Sequence, residues 1–249
     1  MAFAKTLFVN PPTRPAWDLG AFRMLAERRP AEGDLGGDFY VFSLRGPKRL
    51  AVVIGDVCGR GREGASLLPS VLGRIGELVT APLPPSQLLE NLNLGLMDKL
   101  SSDRFVTAAA FEIDGHAGTL TFANAGHVPA VLRRACGEVR IVGRASGPPL
   151  GMFHGSRYCD EACRLGSGDV VVVMTDGILE AVETDLQGMP RLTAAVGHGV
   201  GGGGAVHRRL LAQLTAPHAK RDADDMMLLS LELLAEARVA TLVGVQAVA

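Results

Sequence analysis

Residues 33–61 read Gly-Asp-Leu-Gly-Gly-Asp-Phe-Tyr-Val-Phe-Ser-Leu-Arg-Gly-Pro-Lys-Arg-Leu-Ala-Val-Val-Ile-Gly-Asp-Val-Cys-Gly-Arg-Gly. Two apolar runs, Asp38–Leu44 and Arg49–Gly55, flank the turn Arg45-Gly46-Pro47-Lys48, which predicts two strands joined as a hairpin. Asp38 opens the first strand after Gly36-Gly37. Asp56 ends the second, with Gly59 and Gly61 behind it.

Downstream, Leu67, Leu68, Val71, Leu72, Ile75 and Leu78 recur at helical spacing, with Pro69 near the expected helix start, where a missing donor is tolerated. A second helix is predicted after Pro84-Pro85, with Ser86 as N-cap and Leu88, Leu89, Leu92, Leu96 and Leu100 on one face. Strand-like pieces follow at Phe105–Ile113, Thr119–Ala123, Ala130–Arg134, Val139–Val142, Arg157–Leu165 and Asp169–Met174. Gly197–Gly204 reads as a mobile low-complexity loop before a helix at Ala205–Leu214 and a last strand at Met226–Leu233. Upstream, a Pro-rich start gives way to a short amphipathic helix around Leu19–Arg29. The pattern predicts one α+β domain built on mostly antiparallel sheet with grouped helices. The expected divisions are an entry segment at 1–30, the domain at 31–236, and an apolar tail at 237–249.

The chain has 249 residues, and its 25 basic against 26 acidic side chains leave a formal charge of −1. That balance removes the usual electrostatic basis for binding nucleic acid or an anionic membrane. No apolar run approaches the roughly 20 residues a bilayer requires, and the N-terminus lacks a signal-peptide pattern. A cytoplasmic, soluble protein is expected. Cys58, Cys136, Cys159 and Cys163 show neither a disulfide framework nor zinc-finger spacing, so they read as thiols in a reducing compartment.

The chemistry lies at strand ends. Asp38, Asp56, Asp176, and Asp224 with Asp225 each sit where a predicted strand begins or stops, most of them beside Gly. A carboxylate at a buried strand end is costly unless its charge is compensated, and hard divalent cations do this well. Taken singly, each Asp-Gly pair is ordinary turn chemistry. Together they point to Mg²⁺ or Mn²⁺ held by oxygen ligands.

Five blocks sharpen this reading. Residues Gly33–Tyr40 resemble the GGDFYD motif of bacterial metal-dependent Ser/Thr protein phosphatases of the PPM (type 2C) superfamily, in the subgroup named after the sporulation stage II E phosphatase and the stress-response sigma-factor regulators. Val53–Gly61 is similar to that subgroup's IGDVSGKG block, Asn124–Pro129 to NAGHxP, Thr175–Ala181 to TDGxxEA, and Asp224-Asp225-Met226 to the closing DD(I/M)T. The blocks keep the family's order across residues 33–233.

The resemblance implies an αββα four-layer sandwich, two central antiparallel sheets flanked by helices, with a metal site at one end of the sheets. It implies hydrolysis of phosphoserine or phosphothreonine on a protein by a dimetal-activated water, using two Mn²⁺ or Mg²⁺ ions, with a third left open. Asp56 would bridge the metals and the Val57 carbonyl would face one of them. Asp176 and Asp224, with Asp225 as alternate, would complete the second, and Asp38 would coordinate or hold metal-bound waters. The implied substrate is a phosphorylated anti-anti-sigma (STAS-type) regulator in a partner-switching pathway. The sequence leaves the oligomeric state open.

The chain departs from the family pattern at several positions. Val41 replaces the acidic residue that often closes the first motif, Cys58 a Ser, Arg60 a Lys and Met227 a Thr. None removes an expected metal carboxylate. Cys58 is either a packed substitute for Ser or a redox-sensitive position beside the metals. Arg60 and Arg62 are candidates to meet the phosphate, against the alternative of solvated loop arginines. His127 reads as a turn-shaping residue rather than a general acid. Only about 30 residues precede the first motif, leaving no room for a sensor module. Constitutive activity, or control by metal, partner or the N-terminal segment, is expected. The competing functions are a binding protein that sequesters a phosphoprotein or kinase without turnover, and a phosphatase acting on other targets of bacterial Ser/Thr kinases.

Overall fold

The computed structural model describes residues 6–9, 14–30, 36–59, 62–101, 103–182, 188–214 and 224–235. Its organising unit is the expected hairpin. β4 (Asp38–Gly46) and β5 (Arg49–Val57) pair antiparallel, with Asp38 opposite Asp56 and Tyr40 opposite Ile54.

Around it stand β1 (Thr6–Val9), β6 (Val106–Asp114), β7 (Thr119–Ala125) and β10 (Glu161–Arg164), giving a six-stranded sheet in the order β1-β4-β5-β6-β7-β10. The second sheet holds β2 (Arg14–Leu19), β3 (Phe22–Arg29), β8 (Ala130–Arg133), β9 (Val139–Val142), β11 (Val170–Met174) and β12 (Met226–Leu233), in the order β2-β3-β12-β11-β8-β9. Neighbouring strands run antiparallel in both sheets.

Side chains alternate between the faces of a strand, and here both faces of the central strands are covered. Tyr40, Phe42, Leu50, Val52 and Ile54 pack between the sheets against Phe22, Met24, Val171, Val173 and Leu229. Phe39, Val41, Ala51 and Val53 face the opposite way, onto α1 (Arg62–Val79) and α2 (Pro85–Met97). On the far side, Val170, Val172, Met174 and Leu228 meet α3 (Asp176–Val182), α4 (Gly188–Gly197) and α5 (Gly203–Leu214). Burial on both faces explains why the strand sequences read as continuous apolar runs. The result is the four-layer αββα sandwich. Among the described residues no helix is long and apolar enough to cross a membrane.

Several local expectations are corrected. Leu19–Arg29 forms no helix: Gly20, at φ 72°, turns β2 into β3. Phe22, Met24 and Ala26 are buried in alternation with Arg23, Leu25 and Glu27, a period of two rather than 3.6. The expected entry segment therefore supplies β1, β2 and β3 to the sheets. Pro69 lies inside α1 rather than near its start. Ser86 is not the N-cap of α2; Pro84 occupies that place with extended backbone, and Pro85 brings its fixed φ to the first turn. The Asp160 carboxylate covers this helix start from a distant loop, accepting the Ser86 N–H at 2.8 Å and the Ser86 hydroxyl at 2.7 Å. Only Glu161–Arg164 of the predicted strand Arg157–Leu165 pairs, α5 begins at Gly203, and α3 and α4 were not anticipated. The tail 237–249 lies outside the described residues.

Candidate metal centre

The strand alternation that sends Tyr40 and Ile54 into the space between the sheets also sends Asp38 and Asp56 there, at its end. Asp38 is only 1% exposed. Its Oδ2 accepts the Thr175 hydroxyl at 2.7 Å, a bond between the two sheets. Thr175 follows β11 and is fixed in turn by β12: its N–H donates to the Met227 carbonyl at 3.0 Å, and its Oγ1 accepts the Met227 N–H at 2.9 Å.

Two glycines bring the chain close enough. A Cβ on Gly37 would lie 2.5 Å from Asp56 Oδ1 and 2.6 Å from the Val57 carbonyl oxygen, so these two oxygens converge on one point beside the Gly37 backbone. A Cβ on Gly36 would fall 2.3 Å from Asp225 Oδ2. That same oxygen accepts the Gly37 N–H at 2.8 Å. Asp225 is thereby committed to the Gly36-Gly37 turn, while its own N–H donates to Asp224 Oδ1 at 2.8 Å. Asp176 opens α3 immediately after Thr175. The next residue, Gly177, lets the Asp224-Asp225 backbone pass: a Cβ there would sit 2.1 Å from the Asp225 carbonyl oxygen.

The electrostatics follow from this crowding. Burial pushes the Asp38 carboxyl well above the usual carboxylate range, and the charge of Asp56 adds to it. Asp56 is pushed up to about 7 by burial, then by Asp176, Asp224 and Asp225. Asp176 is raised by burial and by Glu180. None of the groups that shift these three carboxyls most is a cation. Such an array is relieved either by protonation or by a bound cation.

The donors are all oxygens, carboxylates plus one backbone carbonyl, which suits Mg²⁺ or Mn²⁺ and not soft metals. Among the described residues no three His, Cys, Asp or Glu side chains already stand in a complete ligating arrangement. The convergent Asp56 and Val57 oxygens and the raised carboxyls of Asp38, Asp56 and Asp176 nevertheless fit a hard cation.

The structure thus brings together Asp38, Asp56, Val57, Asp176, Asp224 and Asp225. Arg60 and the side chain of Arg62 lie outside the described residues, as do Gly33, Asp34 and Leu35. The Cys58 thiol donates to the Asp103 carbonyl at 3.8 Å, and Val41 and Met227 are buried in the helix-facing and inter-sheet layers.

His127 is buried in the turn after β7. Asn124 Oδ1 accepts its N–H at 2.7 Å, and Asn124 Nδ2 donates to its carbonyl at 2.9 Å. Its Nδ1 lies 3.0 Å from the Thr107 hydroxyl, and Thr107 is the β6 partner of Asp56. Burial lowers its pKa to about 4, so the ring is neutral at neutral pH. The residue that sequence reading missed is Thr175. It stands within the Thr175–Ala181 block, but only the fold shows that its hydroxyl joins Asp38 to β12.

Similarity to known proteins bears on the family and the fold. The family model for stage II sporulation protein E (SpoIIE) matches residues 46–234. The chain is 28% identical over 171 residues to the phosphoserine phosphatase RsbU of Bacillus subtilis, covering 68% of this chain and 48% of that protein. It is 26% identical over 154 residues to the phosphoserine phosphatase RsbP of the same organism, covering 60% and 38%. The chain therefore spans about half or less of the length of these curated relatives. Among solved structures, the RsbU and RsbW domains of a Mycobacterium tuberculosis protein superpose with a TM-score of 0.77 at 22% identity, over 91% of this chain and 64% of that one. The PP2C phosphatase domain of SpoIIE from Bacillus subtilis superposes with a TM-score of 0.73 at 18% identity, over 85% and 63%.

Proposed function

The chain belongs to the SpoIIE family, and from that premise we propose that it is a metal-dependent phosphoprotein phosphatase that removes phosphate from serine or threonine of an anti-anti-sigma (STAS-type) regulator. The observation that carries this reading is the buried carboxylate cluster, with the Asp56 and Val57 oxygens converging beside Gly37. The relatives named as phosphoserine phosphatases support the substrate class.

In this reading Asp56 and the Val57 carbonyl hold the metal pair together with Asp176 and Asp224. Asp224 is preferred over Asp225 because Asp225 Oδ2 holds the Gly37 N–H across the sheets and its charge acts on Asp56 and the inner Asp38, whereas Asp224 accepts the N–H of its own neighbour and its charge acts on Asp56 and Asp176. Asp225 then positions the turn that brings Gly37 against Asp56. Asp38, held by Thr175, orients water at the inner side of the cluster. Two Mn²⁺ or Mg²⁺ ions, when bound, supply charge neutralisation at the phosphoryl oxygens and a water of lowered pKa. The chain's own contribution is to gather carboxylates in a partly buried place where, once they are ionised, a cation relieves their repulsion.

The catalytic unit corresponds to residues 31–236 with strands contributed by the segment before it, and a cytoplasmic setting goes with this substrate. The test is phosphate release from a serine-phosphorylated STAS-domain protein by wild type and Asp56→Ala, each with Mn²⁺, Mg²⁺ or EDTA. Turnover that requires metal and disappears in the variant is expected. Tight binding of the phosphoprotein without turnover under every condition would instead identify a sequestering protein.

A further inference from the structure

Three of the large apolar side chains most exposed among the described residues lie on two segments that are bonded to one another: Leu94 (69% exposed), Met152 (44%) and Phe153 (57%). Leu94 lies on α2, and the other two on the loop after Leu150. A cavity of about 230 Å³ beside Leu94 is lined by Leu94, Met97, His154 and the paired Glu90 and Arg157, where the segment that follows Phe153 meets α2.

This exposure is held in place. The buried Asn93 side chain donates to the Phe153 carbonyl at 2.9 Å and accepts the Gly151 N–H at 2.8 Å. Ser156 Oγ also donates to the Phe153 carbonyl at 2.9 Å, and Arg157 pairs with Glu90 on α2 at 2.9 Å. Gly151 turns the chain at φ 84°. The loop directs its polar groups inward and its apolar side chains into water on a fixed frame. Ordered apolar surface of this kind marks a contact surface, and its rigidity removes much of the ordering cost of binding.

Two features identify the occupant. The first is continuity with the carboxylate cluster. Leu150 and Val106 exchange backbone hydrogen bonds of 2.8 and 2.9 Å at the start of β6. Arg104, whose carbonyl adjoins Gly151, donates to the Cys58 carbonyl at 3.1 Å, one residue beyond Val57. Adjoining residues thus lead from Phe153 to the metal-facing end of β5. The second is charge: Glu90 and Arg157 neutralise one another, so the surface offers nothing to an anionic membrane or nucleic acid. The chain's own last strand ends elsewhere, since Leu233 packs beside Gly115, at the other end of β6 from Val106.

We propose that Leu94, Met152 and Phe153 form a docking surface for the folded protein substrate, holding an apolar patch of the phosphoprotein while its phosphoserine reaches the carboxylate cluster. This rests on the phosphatase reading above. Docking would separate recognition of the protein from recognition of the phosphate, since a small ester reaches the cluster without touching Phe153.

The test compares the full chain with Phe153→Ser and with the Leu94→Ser/Phe153→Ser double variant, in Mn²⁺, on p-nitrophenyl phosphate and on a serine-phosphorylated STAS-domain protein. The expected result is a tenfold or greater fall in kcat/KM for the phosphoprotein, carried by KM. Small-ester turnover should stay within twofold and the melting temperature should not change. Equal kinetics on the phosphoprotein would overturn the proposal, as would an equal loss on both substrates, or wild-type turnover of the ester with none of the protein. Sedimentation showing a wild-type dimer and a monomeric variant would overturn it too, assigning the surface to a second copy. Wild type inactive on both substrates with metal present would instead strike the phosphatase reading, and this proposal with it.

Discussion

The Gly37 N–H donates to Asp225 Oδ2 at 2.8 Å, joining residues 188 positions apart in the chain and the starts of two strands in different sheets. It places the Gly36-Gly37 turn so that the space a Gly37 side chain would occupy is bounded by Asp56 Oδ1 and the Val57 carbonyl. The glycine is needed for access rather than for conformation, because the obstacle is a Cβ and not a positive φ.

Gly37→Ala should therefore damage the site more than the fold. The added Cβ would lie 2.5 Å from Asp56 Oδ1, so the turn or the carboxylate must move. Overpacking of this kind costs about 1–3 kcal/mol, and the expected loss of metal-dependent turnover is on the order of a hundredfold. Denaturant unfolding alongside phosphate release checks this; full activity in a folded variant would contradict it.

In the metal-free protein the carboxylate cluster opposes folding. Asp56, raised by burial and its acidic neighbours to about 7, binds its proton more tightly folded than unfolded. Its favourable contribution is thus present at low pH and lost as pH rises from about 4 through 7. Asp56→Asn in EDTA at pH 8 should be more stable than wild type, by roughly 2 kcal/mol. Adding Mn²⁺ should raise the melting temperature of wild type by more than that of the variant. A wild type that is the more stable protein in EDTA would contradict this.

His127 works in the opposite direction with pH. Burial lowers its pKa to about 4, below the ordinary value of 6.5, so the unfolded chain binds more protons between those values. Its contribution is intact above pH 6.5 and is lost as pH falls toward 4, by up to about 3 kcal/mol. Urea unfolding of wild type and His127→Gln at pH 7 and pH 4.5 isolates this from the carboxylates. The stability difference between the two proteins should shift in the variant's favour at the lower pH, and a difference independent of pH would contradict the assignment.

Thr175 has two tasks, donating to Asp38 and accepting from the Met227 N–H. Thr175→Val keeps the shape and leaves both partners unsatisfied in a buried place, at a cost of about 1–3 kcal/mol. Thr175→Ser retains the hydroxyl and should recover most of the lost stability and activity. Equal behaviour of the two variants would show that the hydroxyl is not what matters.

Much of the centre was legible because its chemistry is local. Asp38, Asp56, Asp176 and the Asp224-Asp225 pair each stand next to a strand end marked by Gly or a tight turn, and the hairpin follows from one turn between two apolar runs. What depended on tertiary partners was not legible. The Leu19–Arg29 stretch spaces its apolar residues ambiguously, and pairing with β12 decides for strand. Ser86 has the residue type of an N-cap, yet Pro84 and Pro85 set the helix start and Asp160 supplies the acceptor. That Asp225, and not Asp224, accepts the Gly37 N–H appears only once Gly37 arrives from the other sheet.

The central claim is that the carboxylate cluster is a metal centre. Isothermal titration of Mn²⁺ into metal-free wild type and Asp56→Asn tests it directly. The account predicts saturable binding of two ions to wild type, with protons released as the raised carboxyls ionise, and loss of at least one site in the variant. No binding to folded wild type, or unchanged binding in Asp56→Asn, would contradict it.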